Sequence, residues 1–299
     1  MSQLPYSVVI ATLGREGELD ATLHSLLAQT RLPERIIVVD ASDSAAVKAC
    51  IQNAAECSAV AIEYQAAIVP GAATQRNQGA SCVSTPLVAF IDDDMEVLPA
   101  TCNQICAVFE QDNQAKIGGV SARMEGASHP APKGLLWLYY RLQAGYPDET
   151  YGARLFGPAI NCFPCFERSP EELIQADWLN SACVFYRTAL FLKEQFPDFP
   201  GSSFMEDVHL SARIARQYAL YFHSKALCIH RDGAKSASNT DHAMWARMRI
   251  ENQRKVAMEI LGTRHLAMKL WLHKLFVCVS ILRYQPLGKS ESILATLLA

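Results

Sequence analysis

The stretch Leu87–Pro99, LVAFIDDDMEVLP, decides how the rest of the chain is read. Leu87 to Ile91 is an unbroken apolar run, too short for a helix, as expected of a strand buried on both faces of a parallel sheet. It ends directly in Asp92, Asp93 and Asp94. Three adjacent carboxylates repel one another, and such a cluster is costly unless a cation or ligand compensates for it. On an extended chain alternate side chains share a side, which predicts Asp92 and Asp94 about 7 Å apart. That spacing suits a hard divalent ion held between a carboxylate and phosphate oxygens, and Mg²⁺ or Mn²⁺ would serve. The plainer reading is a solvated acidic turn.

Outward from this point apolar runs alternate with amphipathic stretches. Tyr6 to Ala11 (YSVVIA) and Arg35 to Asp40 (RIIVVD) read as buried strands, separated by a helix with Leu19, Leu23, Leu26 and Leu27 on one face. Asp43 to Cys57 predicts a second helix, Val60 to Tyr64 a third strand and Gly71 to Cys82 a third helix. Such alternation builds an α/β fold with a Rossmann-like, mostly parallel central sheet flanked by helices. Ligands of such sheets bind beyond the carboxyl ends of the strands. Thr12 and Gly14, Asp40, and the Asp92 to Asp94 run each follow a strand, so they converge on one crevice.

Between about 125 and 175 the periodicity fades and Gly, Pro and aromatics are frequent, which predicts a long loop or subdomain over the crevice. Asp177 to Arg187 (DWLNSACVFYR) predicts a strand, Pro197 to Ser203 an exposed turn, and Glu206 to Tyr218 a helix. His242 to Leu282 reads as helices. A body over 1–240, dividing near 120, therefore precedes a C-terminal helical extension over 241–299.

Half of the 299 residues are hydrophobic and 19% are charged, an ordinary balance for a packed body. The net charge of -3 hides an asymmetry: residues 241–299 hold nine Lys/Arg against four Asp/Glu, leaving 18 against 26 in residues 1–240. No basic stripe with interleaved aromatics crosses the body, so a nucleic-acid partner is excluded. A basic extension beside an acidic body suits peripheral contact between residues 242–282 and an anionic membrane surface. Within it, His265, Lys269 and His273 recur at four-residue spacing on one stripe, and Lys269 and Lys274 near the middle argue against a membrane span. Ten cysteines without a signal peptide indicate a reducing, cytoplasmic setting, peripheral to the inner face of the membrane, with Cys82, Cys183 and Cys228 as small core residues. Cys162 and Cys165 form a single CxxC, weak evidence for zinc without a second pair.

YSVVIATLGR, RIIVVDASDS, GAATQRNQGA, LVAFIDDDMEVLP and FMEDVHLSARIAR resemble, in order and spacing, the motifs of glycosyltransferase family 2, over about 220 residues. The resemblance implies a GT-A fold, with a nucleotide-binding half over 1–120 and an acceptor half over 121–240. It implies inverting transfer of a sugar from a nucleoside diphosphate, UDP by family majority, to a hydroxyl of a glycan or lipid-linked acceptor, as in polysaccharide biosynthesis. Thr12, Arg15, Asp40, Ser42, Arg76, Asn77, Asp92 and Asp93 match nucleotide-contacting positions. Leu13 and Gly14 stand where relatives more often carry Pro or Tyr. Asp92 and Asp94 match the outer positions of the DxD motif, Asp94 on the metal, and His230 sits where some relatives place a further metal or diphosphate contact. Glu206 and Asp207 match the acidic pair whose aspartate serves as catalytic base; opening a helix, Asp207 is favoured in its ionised form. Asp177 and Trp178 resemble a sugar- and acceptor-facing segment, an indole suiting the apolar face of a pyranose.

Each position has a structural alternative: helix capping for Ser42, Glu206 and Asp207, a surface arginine for Arg76, core packing for Trp178, a strand-end role for His230. Two other functions share the general fold. A sugar nucleotidyltransferase would carry a Gly-rich, basic loop after the first strand, of which ATLGREGE is a poor version. A non-catalytic glycan-binding or scaffolding protein would have no use for both acidic motifs. A dinucleotide-dependent oxidoreductase is excluded, since no GxGxxG follows a predicted strand.

Overall fold

The computed structural model describes residues 3–199, 204–231, 242–262, 264–284 and 289–299. Its first half is the predicted alternation: β1 (Tyr6–Thr12), α1 (Glu16–Leu27), β2 (Arg35–Asp40), α2 (Ala45–Glu56), β3 (Ala61–Ala66), α3 (Ala72–Ser81) and β4 (Leu87–Ile91). The four strands are parallel in the order β3-β2-β1-β4, with Thr12 beside Asp40 at the carboxyl ends. Ser44 caps α2, accepting from the Ala46 and Val47 amides. α3 lies unusually close to the sheet because Gly79 carries no side chain. A Cβ there would stand 2.5 Å from Val9 Cγ1 and 3.1 Å from Val39 Cγ2.

The second half departs from the simple alternation. After the aspartate triplet come β5 (Met95–Val97), α4 (Thr101–Gln111), β6 (Ile117–Met124) and α5 (Gly134–Ala144). A short ribbon of β7 (Leu155–Phe156) and β8 (Ile160–Asn161) follows, then β9 (Leu173–Ala176), β10 (Cys183–Arg187), α6 (Thr188–Glu194), α7 (Glu206–Ile214) and β11 (Ala219–His230). The main sheet continues β4-β10-β6-β11-β5, with β9 also paired to β11. β10 is antiparallel to β4 and β6, whereas β6 and β11 are parallel. The architecture is α/β, a mostly parallel sheet flanked by helices.

Three expectations need correction. Only Cys183–Arg187 of the stretch Asp177 to Arg187 is strand; residues 177–182 are irregular and lead into the crevice. The region 125–175 holds α5, whose LLWLYYRL is apolar on nearly every side and so shows no period in the sequence. The helix predicted over Glu206 to Tyr218 stops at Ile214. Of the turn expected over 197–203, residues 200–203 lie outside the described residues.

The C-terminal extension comprises α8 (His242–Val256), a π-helical turn over Ala257–Leu261, α9 (Leu266–Tyr284) and α10 (Lys289–Leu298). α9 packs on α5: Tyr139 stacks on Phe276 with ring centroids 4.3 Å apart, and its hydroxyl meets His273 Nδ1 at 2.7 Å. His273 Nε2 lies 2.9 Å from Gln253 Oε1 of α8. The stripe of His265, Lys269 and His273 is therefore not a membrane-facing one, since His273 is buried against the protein and Lys269 half-buried. Among the described residues no helix is long and apolar enough to cross a membrane. All ten cysteines are free thiols. Cys183 and Cys228 are core residues as expected; Cys82, at the end of α3, is exposed. Cys162 and Cys165 are buried, and burial pushes the Cys162 thiol up to about 12, a neutral group inside the fold.

Candidate active site

The aspartate triplet is a tight turn, not an extended strand end: the Met95 amide donates to the Asp92 carbonyl at 3.3 Å. The turn divides the three carboxylates between two arginines. Arg76, from α3, donates to Asp92 Oδ1 at 2.5 Å. Arg15, from the start of α1, engages both others, with Nε 3.1 Å from Asp93 Oδ2 and Nη1 2.8 Å from Asp94 Oδ2. The mutual repulsion that three acids would feel is met by these guanidinium groups and by Thr12, whose hydroxyl donates to Asp93 Oδ2 at 2.6 Å.

Asp93 is completely buried, and burial raises its carboxyl to about 6 against the lowering effects of Thr12 and Arg15. This geometry corrects the expectation that Asp93 contacts the nucleotide: it faces inward and ties the triplet to β1 and α1. Thr12 and Arg15 are likewise spent on the triplet. Arg15 remains half exposed at the crevice, with a side-chain exposure of 48%. Asp92 and Asp94 pair with different arginines, Arg76 and Arg15.

Asp94 has a second neighbour. β11 pairs with β5, placing His230 opposite Met95, and His230 Nε2 lies 3.4 Å from Asp94 Oδ2. Among the described residues no three His, Cys, Asp or Glu side chains gather as a metal-binding group. Asp94 and His230 nevertheless form a partly exposed oxygen and nitrogen donor pair. A divalent ion that takes its remaining ligands from diphosphate and water needs no more from the protein. The residues present thus fit Mg²⁺ or Mn²⁺ as a shared site, not as an all-protein one.

At the next strand end, Asp40 Oδ1 accepts from the Ser42 amide at 2.9 Å and from the Ser42 hydroxyl at 2.6 Å. The other oxygen, Oδ2, is buried, and the neighbouring Tyr64 hydroxyl, its pKa raised by burial, is near enough for Asp40 to raise it further.

On the far side of Asp92, α7 brings its first turn to the crevice. Met205, which precedes it, holds a left-handed φ of 73°, uncommon for a residue with a side chain. This bend turns Glu206 and Asp207 inward. Arg76 Nη1 lies 3.3 Å from Glu206 Oε1, so one buried guanidinium bridges Asp92 and the acidic pair. Burial, and then the neighbouring Glu206 charge, raise the Asp207 carboxyl to about 7. Burial also raises Glu206, against the lowering effect of Arg76.

Asp92, Glu206 and Asp207 line one pocket of about 300 Å³, together with Arg76, Trp178, Asn161, Phe163, Asn180, Ser181 and Phe204. Trp178 contributes an edge only. It is 1% exposed, and its indole nitrogen donates to the Cys162 carbonyl at 3.1 Å. Asp177, expected beside it, turns away to accept from the Leu155 amide at 3.0 Å and lines a different hollow. Asn77 is also diverted: its side-chain amide donates to and accepts from the Phe196 backbone at 2.9 and 3.0 Å, fastening α3 to the loop after α6. Asn161, Asn180 and Ser181 were not anticipated as site residues. The polar pair Asn180–Ser181 interrupting an otherwise apolar stretch was the available signal.

An α/β sheet with acidic groups gathered at its carboxyl edge, and a second acidic pair opposite, places the candidate active site beyond its strand ends. The family model described as glycosyl transferase family 2 matches residues 7–166, and the chain belongs to that family. It is similar to a validoxylamine A glucosyltransferase of Streptomyces hygroscopicus subsp. limoneus, 29% identical over 113 residues, covering 37% of this chain and 25% of that enzyme. The chain thus spans a quarter of that relative's length. In structure it resembles the mannosyltransferase PcManGT of Pyrobaculum calidifontis, solved with GDP-Man and Mn²⁺ (TM-score 0.57, 13% identity, covering 100% of this chain and 74% of the other). It also resembles residues 1–349 of S. aureus TarS, solved with UDP-GlcNAc (TM-score 0.57, 17% identity, 92% and 72% covered). At such identities these likenesses speak for the GT-A fold.

Proposed function

We propose that this protein is an inverting glycosyltransferase that moves a sugar from a nucleoside diphosphate, UDP for preference, to a hydroxyl of a glycan or lipid-linked acceptor. The observation that carries the reading is Arg76, which joins Asp92 at the strand tip to Glu206 at the start of α7 and so makes one site of two motifs. Residues 1–120 supply the nucleotide side and 121–240 the acceptor side of a catalytic domain, with 241–299 as a helical extension. The cytoplasmic face of a membrane is the setting where such an acceptor would be met.

Asp40 receives an N–H of the base, while Ser42 fixes the carboxylate's orientation. Asp92 faces the ribose and the sugar, and the half-exposed Arg15, held on Asp93 and Asp94, borders the diphosphate. Asp94 and His230 would hold Mg²⁺ or Mn²⁺, which supplies Lewis-acid neutralisation of the departing diphosphate. Asp207 accepts the proton of the acceptor hydroxyl as its oxygen bonds to the anomeric carbon. The bond to the diphosphate oxygen breaks on the opposite face, and its electron pair leaves with the nucleotide. With its carboxyl near 7, Asp207 is both an adequate base and largely ionised above neutrality. Glu206, neutralised by Arg76, holds the turn in place, and Phe163, backed by the edge of Trp178, forms the apolar wall for the sugar ring.

The test is a thermal-shift screen of UDP, GDP and dTDP with and without Mn²⁺, followed by assay of nucleotide release and of the product anomer by NMR. Stabilisation by one nucleoside diphosphate, strengthened by Mn²⁺, and an inverted anomer are expected. Pyrophosphate formed from a nucleoside triphosphate and a sugar phosphate would instead make the protein a nucleotidyltransferase. Binding without nucleotide release across donors and acceptors would make it a scaffold.

A further inference from the structure

Two helices far apart in sequence present apolar rows outward. On α9, Met268, Trp271, Leu275, Val279 and Leu282 fall within one narrow arc, and each is at least 38% exposed. The row runs for about 21 Å at the helical rise. On α5, Leu135, Leu138 and Leu142 recur at helical spacing, with exposures of 85%, 46% and 58%.

The contacts between the helices fix how the rows lie. Tyr139 meets Phe276 and His273, whereas Gln143, one turn further along α5, donates to the Lys269 carbonyl, earlier on α9. α5 and α9 are therefore antiparallel. In each helix the contacting residues lie on the same flank of the exposed row, so both rows open to one side of the molecule. Apolar surface gathered in this way marks a site of interaction rather than scattered exposure.

Charge identifies what the face meets. Neither α5 nor α9 contains an Asp or Glu, while Lys133, Arg141, Lys274 and Arg283 accompany them. The body over 1–240 has the opposite balance, 18 Lys/Arg against 26 Asp/Glu. A second copy of this chain would bring like charges together across the face. An anionic bilayer satisfies both parts, its headgroups meeting the cations and its acyl boundary the apolar rows and the Trp271 indole. α9 is too interrupted by charge to cross a membrane, which leaves it lying on one.

We propose that the shared outer face of α5 and α9 docks on the surface of an anionic phospholipid membrane. This reading stands apart from the assignment of transferase activity, and its test uses no turnover. The full chain is sedimented with phosphatidylcholine vesicles, with and without phosphatidylglycerol, across a salt series. Binding to the anionic vesicles, weakened by salt and much reduced on plain phosphatidylcholine, is expected. Leu275→Glu on α9 and Leu138→Glu on α5 should each abolish it with little change in thermal midpoint. Lys274→Gln and Arg283→Gln should each weaken it by about fivefold. Vesicle binding that survives both glutamate variants, or no vesicle binding by the wild-type chain, overturns the proposal. A dimer in sedimentation equilibrium that Leu275→Glu dissociates, without vesicle binding, would assign the face to a second copy.

Discussion

Asp207 is held between opposing influences. Burial and the Glu206 charge favour its neutral form, whereas the Val208 amide, 2.7 Å away, and Arg76 favour the carboxylate. A base must be ionised, so the rate of transfer should rise with pH through a midpoint of about 7. Asp207→Asn should lower turnover roughly 100- to 10,000-fold and remove that limb. Stability should move the other way. A carboxyl raised in the fold binds its proton more tightly there than in the unfolded chain, so its contribution is complete below the ordinary value of 3.8 and lost as pH rises through about 7. Asp207→Asn should therefore gain thermal midpoint over the wild type at pH 8 and lose that advantage in acid. Arg76 carries a larger penalty, since Arg76→Met would leave Asp92 and Glu206 without their common cation. A loss of about 3–5 kcal/mol in urea unfolding is expected, with Arg76→Lys intermediate. Of these residues, the family resemblance pointed to Asp92, Arg76, Glu206 and Asp207, and the structure brings the four to one pocket. The spending of Asn77 on Phe196 and of Asp93 on Arg15 was hidden, because those partners come from segments 119 and 78 residues away.

Among the elements, α3 shows how one small residue places a functional one. Gly79 lets the helix settle on β1 and β2, and Arg76, one turn earlier, thereby reaches the strand tip. Gly79→Ala would push the helix away from Val9, at a cost of about 1–3 kcal/mol. Activity should fall further than that loss of stability implies, measured as kcat at a temperature where the variant is fully folded. The parallel half of the sheet was legible because buried parallel strands such as RIIVVD are continuous apolar runs punctuated by polar ends. The other half was not. β5 has three residues, β7 and β8 two each, and pairings this short leave no period to detect. α5 escaped for the opposite reason, being apolar toward α9 and also toward the outside.

At the scale of the whole molecule, one histidine couples the extension to the body. His273 is buried between Tyr139 of α5 and Gln253 of α8, and burial lowers its pKa to about 3. The folded form refuses a proton that the unfolded chain accepts below the ordinary value of 6.5. Stability from this contact is thus present above that value and drains as pH falls toward about 3, by up to about 1.4 kcal/mol per pH unit. Mild acid should loosen α9 from α5 before the sheet unfolds, read as earlier proteolytic cutting near Gly262. His273→Gln should flatten that dependence. This seam was not legible from spacing, which grouped His273 with His265 and Lys269 but could not say which side of the helix faces protein.

On the reading proposed above, the Asp40 carboxylate would help the molecule tell nucleobases apart. An acceptor at that place favours a base whose ring nitrogen bears a hydrogen over one whose ring nitrogen offers a lone pair. Uracil, thymine and guanine carry such an imino hydrogen; cytosine at neutral pH does not, and its bare nitrogen would set lone pair against lone pair. Cytidine diphosphate should compete for the crevice far less well than its uridine counterpart, and Asp40→Asn, with an amide hydrogen to offer, should narrow or reverse the preference.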